Sequence, residues 1–234
     1  MNPPSNGLLA QLPPADLALL LRCCTPVTLR AGQVLCSPDG PSDRVHFPTS
    51  ASVALVARPG AHAGLAVGLA GCEGAVGLQQ AFGLGSGTLT QLVQSPGTAL
   101  QFTGGELQRL VNRHAGMLKV FSRYIWLFSQ EVAMLAASAQ VQDIKARLAG
   151  WILLSAQRAP QTPLVLTHAH LADMLGVRRA GVTLAAMALK EQGLLDYRRG
   201  RIRILDQAGL AAEACHMPGI AAGTGDQPIA AVDE

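Results

Sequence analysis

The spacing of apolar positions changes character along this 234-residue chain. Residues 6–24 read as a short helix: Asp16 to Cys24 is DLALLLRCC, with leucines at 17, 19, 20 and 21. Pro13 and Pro14 stand just ahead, where proline is tolerated at a helix start. From Val27 to about Phe102, Gly and Pro recur every few residues, with short apolar runs such as Val27–Leu29, Val53–Ala57, Leu65–Leu69 and Leu89–Gln94 between them. Short strands separated by such turns predict an all-β roll or barrel. From about Glu106 the period becomes helical. Leu118, Phe121, Ile125, Phe128, Val132, Leu135 and Ala139 follow at alternating steps of three and four, a heptad seam. Met117, Val120, Tyr124 and Leu127 make the same stretch apolar on more than one face, so it should be buried on two sides. One side suits the β-roll and the other a second copy of the chain, with the dimer contact at Leu118, Phe121, Ile125, Phe128, Val132 and Leu135. A core helix inside a monomer is the alternative. Residues 140–158 read as another amphipathic helix, ended by Pro160 and Pro163, and residues 215–234 as a loose tail.

The stretch 166–193, LTHAHLADMLGVRRAGVTLAAMALKEQG, carries the most specific pattern. Thr167 can cap a helix whose stripe is Leu171, Met174 and Leu175. Ala172 is small enough for a second helix to cross closely, and Gly176 supplies the sharp turn. A second helix then runs from about Arg178 to Gln192, with Val182, Ala185, Ala186 and Leu189 inward and Gly193 ending it. In a helix-turn-helix the start of the second helix enters the major groove. Arg178 and Arg179 stand there, able to pair guanine or clamp phosphate. An ordinary helical hairpin could imitate the pattern. Leu194–Tyr197 and Arg201–Leu205 then flank Arg198–Arg199–Gly200, and Ile202 and Ile204 alternate with Arg201 and Arg203. This reads as a wing whose basic tip fits a phosphate backbone; a solvated turn is the plainer reading.

Charge sharpens the picture. Residues 140–205 hold ten Lys/Arg against four Asp/Glu, residues 1–139 eight against six, and residues 206–234 five acids and no base. A basic segment so placed suggests a polyanion partner, or else a solvated charged face. Hydrophobic residues make up 49%, enough to exclude a wholly disordered chain. Cys23, Cys24, Cys36, Cys72 and Cys215 form no CxxC, and no Cys/His pair has zinc-finger spacing, so free thiols in a reducing cytoplasm are expected and no metal site. Neither a signal peptide nor a membrane span is read in the sequence. No nucleophile elbow, phosphate loop or HExxH points to an enzyme.

HFPTSASVALVA at 46–57, GCEGAVG at 71–77, LADMLGVRRAGVT at 171–183 and YRRGRIRILDQAGL at 197–210 together resemble the Crp/Fnr family of bacterial transcription regulators. The resemblance implies an α+β chain in four parts. These are an N-terminal cyclic-nucleotide-binding-like β-roll (jelly roll) at 8–112, a long dimerisation helix at 113–139, a winged helix-turn-helix at 140–212 and a flexible tail at 213–234. It implies a homodimer on pseudo-palindromic double-stranded DNA, with RNA polymerase as a further partner. The DNA-contacting residues would be Thr167, His168, Arg178, Arg179, Ala180, Thr183, Leu184, Arg198, Arg199 and Arg201, with Arg179 the main base reader. Ala180 and Leu184 stand where the cyclic-AMP-responsive branch has a glutamate and a second arginine, so a different target is expected. The effector pocket would lie at Gly71, Glu73, Gly74, Leu89 and Thr90. The phosphate-binding arginine is missing from 87–91, so no usual cyclic-AMP response is expected. Cys23, Cys24 and Cys36 lack iron–sulfur cluster spacing. Haem through His46, His62 or Met117 has no specific motif. The competing reading is a ligand-binding signalling module whose winged helix makes protein contacts.

Overall fold

The structure of the chain is a computed structural model describing residues 6–38, 40, 43–58, 64–85, 87–159 and 164–214. His62, Pro160, Pro163, Cys215 and the tail from 215 onward lie outside the described residues.

Among the described residues the turn-rich stretch forms seven strands: β1 (Thr25–Leu29), β2 (Val34–Cys36), β3 (Arg44–Pro48), β4 (Ser52–Ala57), β5 (Leu65–Ala70), β6 (Thr90–Ser95) and β7 (Gly97–Thr103). They make two antiparallel sheets, ordered β1-β7-β3 and β2-β6-β4-β5. Leu29 and Ala99 of the first meet Val53, Ala70 and Val93 of the second, so the alternation of the strands closes a core between the sheets. The expected helix at 6–24 is in fact two pieces: a 3-10 turn at Leu9–Gln11, then α1 (Pro14–Leu21). Pro14 has no N–H to donate back, so the helical ladder cannot cross it.

Thr103 ends the last strand of the roll and caps α2 (Gly104–Val111). Its hydroxyl accepts from the Glu106 N–H while the Glu106 carboxylate accepts from the Thr103 N–H, a reciprocal capping box. The long α3 (Ala115–Val141) follows. Its inward stripe is Met117, Phe121, Tyr124, Glu131 and Leu135, packed on the roll and on the segments around it. The six residues of the expected seam lie along one face of the helix but differ in burial within the protomer. Phe121 is fully enclosed, Leu135 is buried, and Phe128 and Val132 lean on Gly68 of β5. Only Leu118 and Ile125 are exposed, beside Trp126, Met134 and Val141. The seam therefore runs along the boundary between the stripe packed on the roll and the exposed positions of the helix.

α4 (Ile144–Arg158) begins at Asp143, whose carboxylate accepts from the Ala146 N–H at 2.8 Å. It joins the roll to the C-terminal part. Trp151 Nε1 donates to Gln94 Oε1 on β6 (2.8 Å), Gln94 Nε2 donates to Ser155 Oγ (3.0 Å), and Ser155 Oγ donates to the Trp151 carbonyl (2.7 Å). Closing the helix, Arg158, 2% exposed, places Nη1 2.8 Å from Glu73 and Nη2 2.6 Å from Glu131. Its carbonyl accepts from the Cys72 N–H. Gly71 lies so close that a Cβ there would overlap this carbonyl. Burial opposes the Arg158 cation, but the two carboxylates outweigh it and raise its pKa; burial pushes the Glu73 carboxyl up against the pull of Arg158. Ala54, Val56, Ala66 and Leu69 of the roll belong to the same apolar cluster as Leu148, Trp151, Leu171 and Val182.

Two measurements follow from these buried groups. Arg158→Ala leaves two carboxylates in an apolar junction without their cation and should cost about 3–5 kcal/mol, read as a lower denaturant midpoint. A loss below about 1 kcal/mol would show that the pair carries little of the junction. The second is the pH dependence at His46. Its Nε2 lies 2.9 Å from Gln101 Nε2 and so acts as acceptor, and burial, with the Arg44 charge, lowers its pKa from 6.5 to about 4. On acidification the unfolded chain takes this proton first. The stability contribution is therefore complete above pH 6.5 and falls by about 2–4 kcal/mol toward pH 4. His46→Gln should flatten that part of the stability profile; an unchanged slope would assign the acid sensitivity elsewhere.

Candidate nucleic-acid interface

β8 (Leu164–Val165), α5 (His168–Leu175), α6 (Arg179–Glu191), β9 (Leu195–Arg198), β10 (Arg201–Ile204) and α7 (Gln207–Glu213) complete the chain. Thr167 caps α5, its hydroxyl accepting from the His170 N–H at 3.1 Å. Gly176 ends α5 at φ 64°, a left-handed conformation that costs glycine little. Arg147 of α4 donates to the carbonyl of Leu175, so a cation also sits at the negative end of this helix. The turn rests against Gly64 and Leu65 at the start of β5. Val182, Ala185, Ala186 and Leu189 face inward and hold α6 against α4 and α5.

Arg178, Arg179, Ala180, Leu184 and Met187 are exposed, and Thr183 is half-buried. The Thr183 hydroxyl donates to the Arg179 carbonyl (3.1 Å) and lies 2.9 Å from His168 Nδ1. The His168 ring stacks on Tyr197, with centroids 4.3 Å apart, and the Tyr197 hydroxyl donates to the Leu166 carbonyl. Burial, then the Arg179 charge, lowers the His168 pKa, so this ring is neutral near pH 7. Thr167 is exposed and stands beside Gly200 of the wing, whereas His168 is a half-buried post between α6 and the wing.

The wing is the sheet β8-β10-β9. Ile202 is buried while Arg201 and Arg203 are exposed, as their alternation requires. Arg199 (φ 49°) and Gly200 (φ 77°) form the two-residue connection, both left-handed, as a type I′ hairpin demands. Arg198 and Arg201 face each other directly across the ladder, a like-charge pairing that costs stability. Asp196 partly relieves it, standing 3.3 Å from Arg198 and 3.0 Å from Lys190. Lys190, ahead of other causes, lowers the Asp196 pKa. Among the described residues, Arg178, Arg179, Arg199 and Arg201 enter no ion pair. Sequence reasoning missed the diversion of Arg198 by Asp196, the Tyr197–His168 stack and the Arg147 cap; their partners are set by tertiary packing and carry no local signal.

The effector-pocket residues are differently placed. Gly71, Glu73 and Gly74 come together in the turn after β5. There Glu73 is paired with Arg158, and Gly74 packs on Tyr124, whose hydroxyl donates to the Ala75 carbonyl at 3.0 Å. Thr90 is buried at the start of β6, in register with Val56, and Leu89 precedes it half-buried. His46 is turned onto Gln101, and Met117 lies in an apolar cluster with Phe47 and Phe121. Among the described residues, no group of three or more His, Cys, Asp or Glu side chains converges, and no helix is long and apolar enough to cross a membrane.

Residues 146–213 match the Crp-like helix-turn-helix domain. No curated protein matches the chain by sequence. Solved structures are similar in fold over most of it. The c-di-GMP-responsive global regulator CLP of Xanthomonas campestris superposes with TM-score 0.66 at 16% identity, covering 81% of this chain and 98% of its own. A CRP-family transcriptional regulator of Thermus thermophilus, TTHB099, gives 0.67 at 15%, covering 80% and 96%. FixK2 of Bradyrhizobium japonicum gives 0.64 at 15%, covering 82% and 98%. The α+β architecture expected from the sequence is present, with a sheet-rich N-terminal part, a long helix and a C-terminal helix-turn-helix domain.

Proposed function

We propose that this Crp-like helix-turn-helix domain, carried on the fold of Crp/Fnr transcription regulators, makes the chain a cytoplasmic, dimeric, sequence-specific reader of double-stranded DNA. The observation that carries the reading is the set of four arginines without an acidic partner among the described residues. Arg178 and Arg179 stand at the start of α6, and Arg199 and Arg201 at the wing tip. A helix N-terminus with a flanking basic hairpin matches a groove and the phosphate rail beside it. Arg179 takes the base-reading role and the wing arginines the backbone. The chain is a regulator and not an enzyme, and RNA polymerase is its expected further partner on the operator.

The sensor side supports a response to something other than cyclic AMP. A nucleotide phosphate would find no basic residue at 87–91, and the Glu73 carboxylate that would meet the ribose is taken by Arg158. Cys23, Cys24 and Cys36 lack the spacing of iron–sulfur ligands, and this reading therefore assigns them no cluster.

A second copy of the chain is the fitting cover for the outer face of α3. Trp126, 65% exposed, lies there among Leu118, Ile125 and Met134 and the small residues Ser122, Ser129 and Ala133. A two-fold pairing on this helix would set the two recognition helices at half-sites about 34–36 Å apart.

Two tests separate these claims. Arg179→Ala should lose about 1–3 kcal/mol on the selected site and relax preference at one base pair per half-site. Arg199→Ala should weaken all sequences alike and lower the salt slope by about one. Titrations on matched and scrambled duplexes across a salt series check both. An unchanged specific-to-scrambled ratio in Arg179→Ala would refute the recognition-helix assignment. For assembly, Ile125→Glu should give folded monomers by light scattering, whereas Phe128→Glu should damage the protomer itself, because Phe128 stacks on Tyr124. A wild-type chain that is monomeric at micromolar concentration would sink the dimer.

A further inference from the structure

The outermost stripe of α6 is apolar. Ala180, Leu184 and Met187 follow at steps of four and three, so they lie on one line, opposite the buried Val182, Ala185, Ala186 and Leu189. Leu184 is 69% exposed and Met187 53%. A single exposed leucine needs no explanation. A leucine and a methionine in line on a recognition helix, bracketed by unpaired cations at both ends of the domain surface, do need one. Apolar centre and cationic rim together fit a ligand with an apolar floor and anionic edges. The DNA major groove is such a ligand: phosphates run along its rims, and the 5-methyl group of thymine is the apolar feature of its floor.

We propose that the chain reads thymine through that methyl group, with Leu184 as the contacting residue and Ala180 beside it, next to the base read by Arg179. The proposal rests on the DNA-binding reading above and adds the chemistry of its specificity. Thr183, the polar neighbour on this surface, has its hydroxyl proton committed to the Arg179 carbonyl and its oxygen close to His168, so it is poorly placed to compete. Leu184 offers neither donor nor acceptor. Against the cytosine amino group or the guanine carbonyl it would displace water and return no hydrogen bond. Against a thymine methyl it removes apolar surface from water on both sides. Discrimination therefore has an attractive part and a repulsive part, both set by one side chain.

The experiment uses the full chain and a duplex recovered by selection from a random pool. Each thymine of the site is replaced in turn by deoxyuridine, which deletes the methyl and keeps every hydrogen-bonding group. Wild type should lose about three- to fivefold in affinity per half-site at one or two positions, the size expected for one buried methyl. Leu184→Ala should bind thymine and uracil versions equally at those positions, and Leu184→Met should keep most of the difference. Both variants alter an exposed side chain, so folding is preserved. If wild type is indifferent to uracil throughout, or Leu184→Ala keeps the same thymine-to-uracil ratio, the methyl reading is overturned while Arg179-dependent binding survives. If the chain selects no DNA even at low salt, the DNA-binding reading falls as well. Failure to select DNA, together with a protein ligand released by Leu184→Glu, would assign the stripe to protein contacts instead.

Discussion

Arg158 is the point at which the two halves of this chain are tied. It closes α4, holds Glu73 of the roll and Glu131 of the long helix in one guanidinium, and accepts the Cys72 N–H with its carbonyl. Such a group is stable only with all its partners, because each charge is costly in that apolar setting without the others. Much else must conform to it. Gly71 has to remain without a side chain, and Gln94, Trp151 and Ser155 complete a second polar closure on the same face of α4. The roll and the helix-turn-helix therefore meet over an apolar cluster with two polar locks. The turn at Gly176 is seated on β5 as a result.

The same contact occupies a residue expected in the effector pocket. In a cyclic-nucleotide-type pocket, a glutamate in the turn after β5 would be offered to a ligand; here an arginine from the C-terminal half holds it. The turn after β5 and the helix that leads into the helix-turn-helix domain thus share a side-chain bond. Any ligand that drew Glu73 away would also leave Arg158 short of a partner, so occupancy and domain placement would be linked in both directions.

The fold was legible where local chemistry decides it. Thr167, Gly176 and the Arg199–Gly200 turn each carry a backbone requirement in their residue type, and the helix-turn-helix and wing followed from them. The glycine-punctuated strands were similarly readable, though the break at Pro14 was not, since proline at a helix start also suits one continuous helix. The long helix was legible as a helix, but which of its apolar positions turn into the protomer was not. With apolar residues at 117, 118, 120, 121, 124, 125, 127 and 128, spacing allows more than one seam, and only packing on the roll shows that Phe121 and Phe128 turn inward. The Glu73–Glu131–Arg158 cluster gave no signal at all. Its members are far apart in sequence: Glu73 was expected in the effector pocket, and nothing in Glu131 or Arg158 alone marks a partner.

The chain's two tryptophans occupy opposite environments. Trp151 of α4 is sealed against the roll with its indole N–H on Gln94, while in the single protomer Trp126 is exposed on the outer face of α3. An indole in water emits at longer wavelength than one enclosed in protein. In the isolated protomer the two indoles should therefore emit at separable wavelengths, Trp126 to the red until something covers α3, and Trp151 to the blue until the two halves part. The molecule carries its own optical labels for association and for domain separation, with no dye attached.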